Sequence, residues 1–180
     1  EVEKACSVYH LWIMATNPVV SLPDADRVKA ALEQCEFVVV SDCIAKTDTT
    51  ACADVLLPAQ GWGEKDGTVT NTERRISRQR SFLPAAGEAK PDWWIVSQVA
   101  KAMGFSDGFN YQHPADIFAE HARLSAFEND GLLSYRIFNL QGLSTLDVDS
   151  YNALQPVTWP ITTSAHEGQN RFFADGSFNT

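Results

Sequence analysis

At 180 residues, with 44% hydrophobic and 11% aromatic side chains, the chain carries the material of a full globular core and is not a disordered segment. A net charge of −9 and a sequence pI near 4.8 exclude the basic surface that nucleic acid requires, so no nucleic-acid partner is expected. No run of about 18 apolar residues occurs, so no membrane span is expected either.

The opening residues EVEKACSVYHLW lack the features of a signal peptide and an initiator methionine, which predicts a segment lying inside a longer chain. LWIMA, residues 11–15, is a short apolar run of the kind that forms a buried strand, and Thr16-Asn17-Pro18 turns the chain out of it. Ser21 and Asp24 fit an S-x-x-D capping box with Pro23 in the first turn, ahead of a helix whose apolar stripe is Val28, Ala31, Leu32 and Cys35. FVVV, residues 37–40, predicts a second buried strand and completes a βαβ unit with parallel strands. After Ser41 and Asp42, AKTDTTACAD permits a short helix, and DVLLP, residues 54–58, predicts a third strand.

From Pro58 the chain reads as a long loop through WGEKDGTVTNTERRISRQR, in which Arg74, Arg75, Arg78 and Arg80 crowd together. A helix is predicted over 91–104, with Pro91 in its first turn, Gly104 at its stop, and Trp94, Ile95, Gln98, Val99 and Met103 inward. HPADIFAEHARLS predicts another helix, with Ile117, Phe118, His121 and Leu124 on one stripe. Past Glu128 the pattern weakens to a short helix near DVDSYNAL, with RFFAD as a last strand. From Gly104 onward three basic residues face nine acids, so the basic strip belongs to the first half alone. The expected fold is α/β: a Rossmann-like parallel sheet with flanking helices over residues 1–128, and a mostly irregular extension over 129–180. Three strands make a thin sheet, which predicts part of a split domain.

The cysteines at 6, 35, 43 and 52 have neither C-x2-C spacing nor histidines at ligand spacing, so reduced thiols in a cytoplasmic protein are expected. His10, His113, His121 and His166 are scattered, and no nucleophile, carboxylate pair or phosphate-binding glycine loop stands out. In an open parallel sheet, ligands collect beyond the carboxyl ends of the strands. That directs attention to Thr16-Asn17-Pro18, to Ser41-Asp42-Cys43 and to the loop after Pro58. Asp42 has two readings, acceptor for a ribose diol or cap of the following turn. Asp92 also has two: a helix-start carboxylate held by the dipole, or a bidentate acceptor for a guanine edge. Lys65 and the arginines suit a diphosphate, while arginine strips are more often solvated or paired with nearby acids such as Glu73 and Glu88.

The ordered blocks LWIMATNP, FVVVSD, ADVLLP, WGEKDGTVTNTERR and GEAKPDWW resemble the molybdopterin oxidoreductases, which hold molybdenum between two molybdopterin guanine dinucleotides. Within that family the run DGTVTNTERRISRQR is most similar to the catalytic subunits of bacterial assimilatory nitrate reductases, over about residues 11 to 105. ENDG, PVTWP and RFFADGSFNT continue the resemblance more thinly. The resemblance implies that Asn17, Ser41, Asp42, Lys65 and Asp92 contact the cofactor, with Asp42 at the ribose and Asp92 at the guanine. It also implies that the arginines behind Lys65 bind the rest of a large subunit, which is itself served by an electron-donor protein or subunit.

The family's amino-terminal cysteine cluster for a [4Fe-4S] centre and its cysteine ligand to molybdenum have no match here. Both are expected outside this segment, as is a carboxy-terminal barrel. The expectation is a piece of a nitrate-reducing enzyme, inactive by itself. A formate dehydrogenase-like oxidoreductase, or a non-enzymatic module binding a guanine nucleotide, is the alternative.

Overall fold

The computed structural model describes residues 8–129, 136–165, 168, 171, 172 and 176. The chain forms two compact units. The first runs to Lys65 and resumes over Ser81–Phe109; the second takes Asp66–Arg80 and everything from Asn110. Cys6 and His166 lie outside the described residues, as do half of ENDG and most of the RFFADGSFNT run.

The first unit is built on a parallel sheet of β1 (His10–Met14), β2 (Phe37–Asp42) and β3 (Val55–Pro58), in that order across the sheet. β2 is central, and its β-branched run buries Val38 and Val40 at 1% exposure each. Leu11, Ile13, Val38 and Val40 share one face under period-two alternation, and Ile13 and the two valines join Val19 and Leu32 in a core. Leu32 arrives on α2 (Ala25–Glu33), after a single-turn helix α1 (Pro18–Ser21). The Ser21–Asp24 capping box does not form, because Ser21 closes α1. Asp24 itself caps α2, at φ 60°, accepting from the Arg27 N–H.

Helix α3 (Asp92–Ala102) begins one residue later than expected and shows a different face. Ile95, Ser97 and Ala100 are buried, while Trp94 and Met103 are exposed. With WWIV opening the helix, apolar side chains occupy several faces at once and periodicity alone does not choose among them.

The second unit contains what the sequence presents as a loop. β4 (Gly67–Thr70) and β5 (Arg75–Gln79) form an antiparallel hairpin, and β6 (Val157–Thr158) pairs with β5. Its turn is set by Asn71, whose Oδ1 accepts from the Glu73 and Arg75 N–H groups at 3.0 Å, and by Arg74 at φ 67°. α4 (Pro114–Ala126) buries Ala115, Phe118, Ala119, Ala122 and Ser125, leaving His121 and Leu124 exposed against expectation. α5 (Val148–Asn152) is the short helix read from DVDSYNAL. Among the described residues from 136 onward, Leu140, Tyr151 and Ile161 join the core at 0–2% exposure from a largely irregular backbone.

The arginine strip is consumed here. Arg78 has a side chain 1% exposed; it pairs with Asp66 at 2.8 Å, donates to Asn152 Oδ1 at 3.0 Å and to the Gly67 carbonyl, and lies 4.1 Å over the Tyr151 ring. Burial pushes the Tyr151 phenol up, against the pull of Arg78. Arg74 stacks on Trp159 and Phe172 and donates to the Trp159 carbonyl, and Arg80 donates to the Asn152 carbonyl. Three of the four arginines thus make contacts within their own unit, while Arg75 and Arg80 remain exposed.

Candidate functional site

The three strands of the first unit end together, and their connections supply the site. Ala15 follows β1, and its N–H donates to the Ser41 carbonyl at 3.1 Å, so the loop holding Asn17 lies beside the end of β2. Ser41 is fully buried and accepts from Trp12 Nε1 at 2.8 Å. Asp42 accepts from the Ile44 N–H on Oδ1 at 2.9 Å, so the turn-cap reading is realised by one oxygen while the residue still lines the cleft described below.

After β3 the chain is tied to the start of α3: the Lys90 N–H donates to the Pro58 carbonyl and the Gln60 N–H to the Lys90 carbonyl, both at 3.0 Å. This clasp brings Asp92 to the strand ends. Trp62–Glu64 then makes one 3-10 turn, held by Glu64, whose carboxylate accepts from Gly61 N–H at 2.8 Å and Ala86 N–H at 3.2 Å. Lys65 follows, and its Nζ donates to Asp92 Oδ2 at 2.6 Å, with each side chain about a third exposed.

Asn17, Ser41, Asp42, Lys65 and Asp92, the five residues singled out in the sequence, all line one cleft of about 260 Å³. A second cavity of about 330 Å³ shares Asp42, Cys43, Ile44 and Ala59 with it and extends over apolar side chains of β3. A larger groove of about 660 Å³, along β1 and α2, contains none of the five. Thr47 and Gln60 also line the cleft, and Thr49 supports it from behind. Sequence reading passed over these three because each sits in a loop of ordinary polar composition. Their one legible signal is position, in the connections that leave the strand ends. Among the described residues no three His, Cys, Asp or Glu side chains converge as a metal site. Cys35, Cys43 and Cys52 are free thiols.

Asp92 Oδ1 tests whether the cleft suits a cofactor. It is buried and meets no hydrogen-bond donor among the described residues. A buried carboxylate oxygen without a donor is costly, and a ligand N–H group removes that cost. With Lys65 as a cation for phosphate and Asp42 offering an oxygen to hydroxyls, the donor set fits a phosphorylated, nucleotide-bearing group. Among the described residues no helix is long and apolar enough to cross a membrane.

The family model for molybdopterin oxidoreductase matches residues 1–102. The chain is 52% identical over 166 residues to a nitrate reductase of Klebsiella oxytoca, covering 89% of this chain and 19% of that protein. It is 47% identical over 166 residues to the F420-dependent formate dehydrogenase subunit alpha of Methanocaldococcus jannaschii, covering 92% of this chain and 22% of that one. Among solved structures, acetylene hydratase from Pelobacter acetylenicus superposes with a TM-score of 0.62 at 16% identity, over 89% of this chain and 20% of that one, a likeness of fold. The chain thus spans about a fifth of the length of the relatives it matches. With the family model covering more than half of its residues, the chain belongs to the molybdopterin oxidoreductase family.

Proposed function

We propose that this chain is a segment of the catalytic subunit of a molybdenum-dependent nitrate reductase, and that its cleft holds the guanine dinucleotide part of a bis(molybdopterin guanine dinucleotide) cofactor. The observation that carries the reading is the convergence of Asn17, Ser41, Asp42, Lys65 and Asp92 on one cleft beyond the strand ends, with Asp92 Oδ1 buried and awaiting a donor. The 52% identity to a nitrate reductase supports the choice of nitrate. Residues 1–128 are the cofactor-binding segment in this proposal, and 129–180 lead toward a further domain.

Bound, the cofactor supplies the two-electron centre at which nitrate becomes nitrite. The residues of this chain bind and orient. Lys65 neutralises phosphate charge while its bond to Asp92 fixes both side chains. Asp92 Oδ1 accepts from the N–H edge of the guanine, and Asp42 accepts from the ribose. A [4Fe-4S] cluster held elsewhere in the larger chain and an electron-donor protein or subunit complete the cytoplasmic enzyme; the segment alone does not reduce nitrate.

The test is Asp42→Ala combined with Asp92→Ala in the intact enzyme. Molybdenum content and nitrate reduction are expected to fall together, and a double variant with normal molybdenum content would sink the site assignment. The likeness to a formate dehydrogenase subunit favours a second reading, a formate-oxidising enzyme using the same cleft. Assaying the intact enzyme with nitrate and with formate separates the two.

A further inference from the structure

Asn17 stands at the N-cap of α1, yet its side chain caps nothing. An N-cap asparagine ordinarily turns its carbonyl oxygen onto a backbone N–H of the first helical turn. Here that duty falls to a residue far along the chain: the Val19 N–H donates to Thr49 Oγ1 at 3.2 Å. Thr49 is fully buried at 0% exposure, so its single hydroxyl proton needs an acceptor inside the protein. The acceptor is Asn17 Oδ1, at 2.6 Å. Thr49 therefore caps α1 by proxy and takes the amide oxygen of Asn17 inward. The amide NH2 is left with no acceptor among the described residues, on a side chain that lines the cleft.

We propose that Thr49 is a positioning residue which holds Asn17 with its donor face toward the cleft, so that the ligand atom seated against Asn17 is an acceptor, a phosphate or carbonyl oxygen. The proposal rests on the reading of Asn17 as a cofactor contact. It carries a consequence that mere proximity does not. A carboxylate at position 17 still accepts the Thr49 proton on one oxygen, but it turns a negative acceptor toward the ligand.

The experiment measures molybdenum and acid-released nucleotide per folded protomer in the intact enzyme. Asn17→Asp is expected to lower both by about tenfold or more, at least as severely as Asn17→Ala. Thr49→Val is expected to lose part of the content and Thr49→Ser to retain it. Thr49→Val added to Asn17→Ala is expected to change nothing further, because Thr49 acts through Asn17. Wild-type content in Asn17→Asp overturns the proposal, since it places an acceptor face toward the cleft. A loss from Thr49→Val that is equally large in the Asn17→Ala background also overturns it and leaves Thr49 a purely structural role. Normal content in Asn17→Ala marks a different failure, that of the cofactor reading of Asn17 itself, and the positioning proposal falls with it.

Discussion

Lys65 and Asp92, 27 positions apart, are joined at 2.6 Å through Asp92 Oδ2, while Asp92 Oδ1 stays buried without a donor. The two oxygens of one carboxylate thus have different surroundings: one anchors a cation inside the protein and the other meets no donor among the described residues.

Lys65→Met should leave Asp92 without its cation. The expected cost is about 1 kcal/mol, modest because both side chains keep about a third of their exposure. Lys65→Met with Asp92→Leu should recover most of the loss. Urea denaturation of the two single variants and the double variant gives the coupling directly, and additive single effects would remove the pair from the account.

Arg78→Lys should destabilise the second unit by about 1–3 kcal/mol, although the charge is kept. An ammonium cannot reach Asp66, Asn152 and the Gly67 carbonyl together while covering the Tyr151 ring. A denaturation midpoint within error of wild type would show that the fork geometry is dispensable.

Asp147 caps α5 by accepting from the Ser150 N–H at 2.8 Å, and that bond holds its carboxyl below the usual carboxylate range. A folded-state pKa below the unfolded one means stability present above the ordinary carboxylate pKa and lost as pH falls through the folded value. Asp147→Ala should therefore be less stable than wild type at neutral pH and converge with it in acid. A difference that persists unchanged in acid would assign the effect to something other than ionisation.

Gly142→Ala should lower the thermal midpoint, because a Cβ there collides with the Thr163 carbonyl and meets Ile161 Cγ2 at 3.0 Å. The glycine lets the backbone come close enough for its N–H to donate to the Ile161 carbonyl at 2.9 Å. An unaltered midpoint in a thermal melt would mean that the segment yields without cost.

The parallel sheet was legible because LWIM in β1 and FVVV in β2 are continuous apolar runs, although among these residues the structure fully buries only Ile13, Val38 and Val40, on one face. The positions of the cleft residues followed from the rule that ligands gather beyond strand ends, while choosing those five depended on the resemblance. The hairpin of β4 and β5 was not legible, since its strands carry threonine and arginine where apolar alternation is sought. Arg78 shows why: it is buried only because Tyr151, Asn152 and Asp66 receive it, and two of these lie more than seventy residues on. Thr49 escaped notice for a related reason. Its importance comes from Asn17, 32 positions earlier, and no local motif marks it.

The discontinuity of the first unit has a consequence for the order in which the protein is made. The chain leaves that unit after Lys65, contributes a hairpin to the other, and returns at Ser81 before α3 delivers Asp92. During synthesis Asn17, Ser41, Asp42 and Lys65 emerge first, but the cradle lacks a wall until the ribosome has passed the hairpin and α3. The cleft is accordingly completed late in synthesis, and a polypeptide stalled before residue 92 lacks the wall that Asp92 provides.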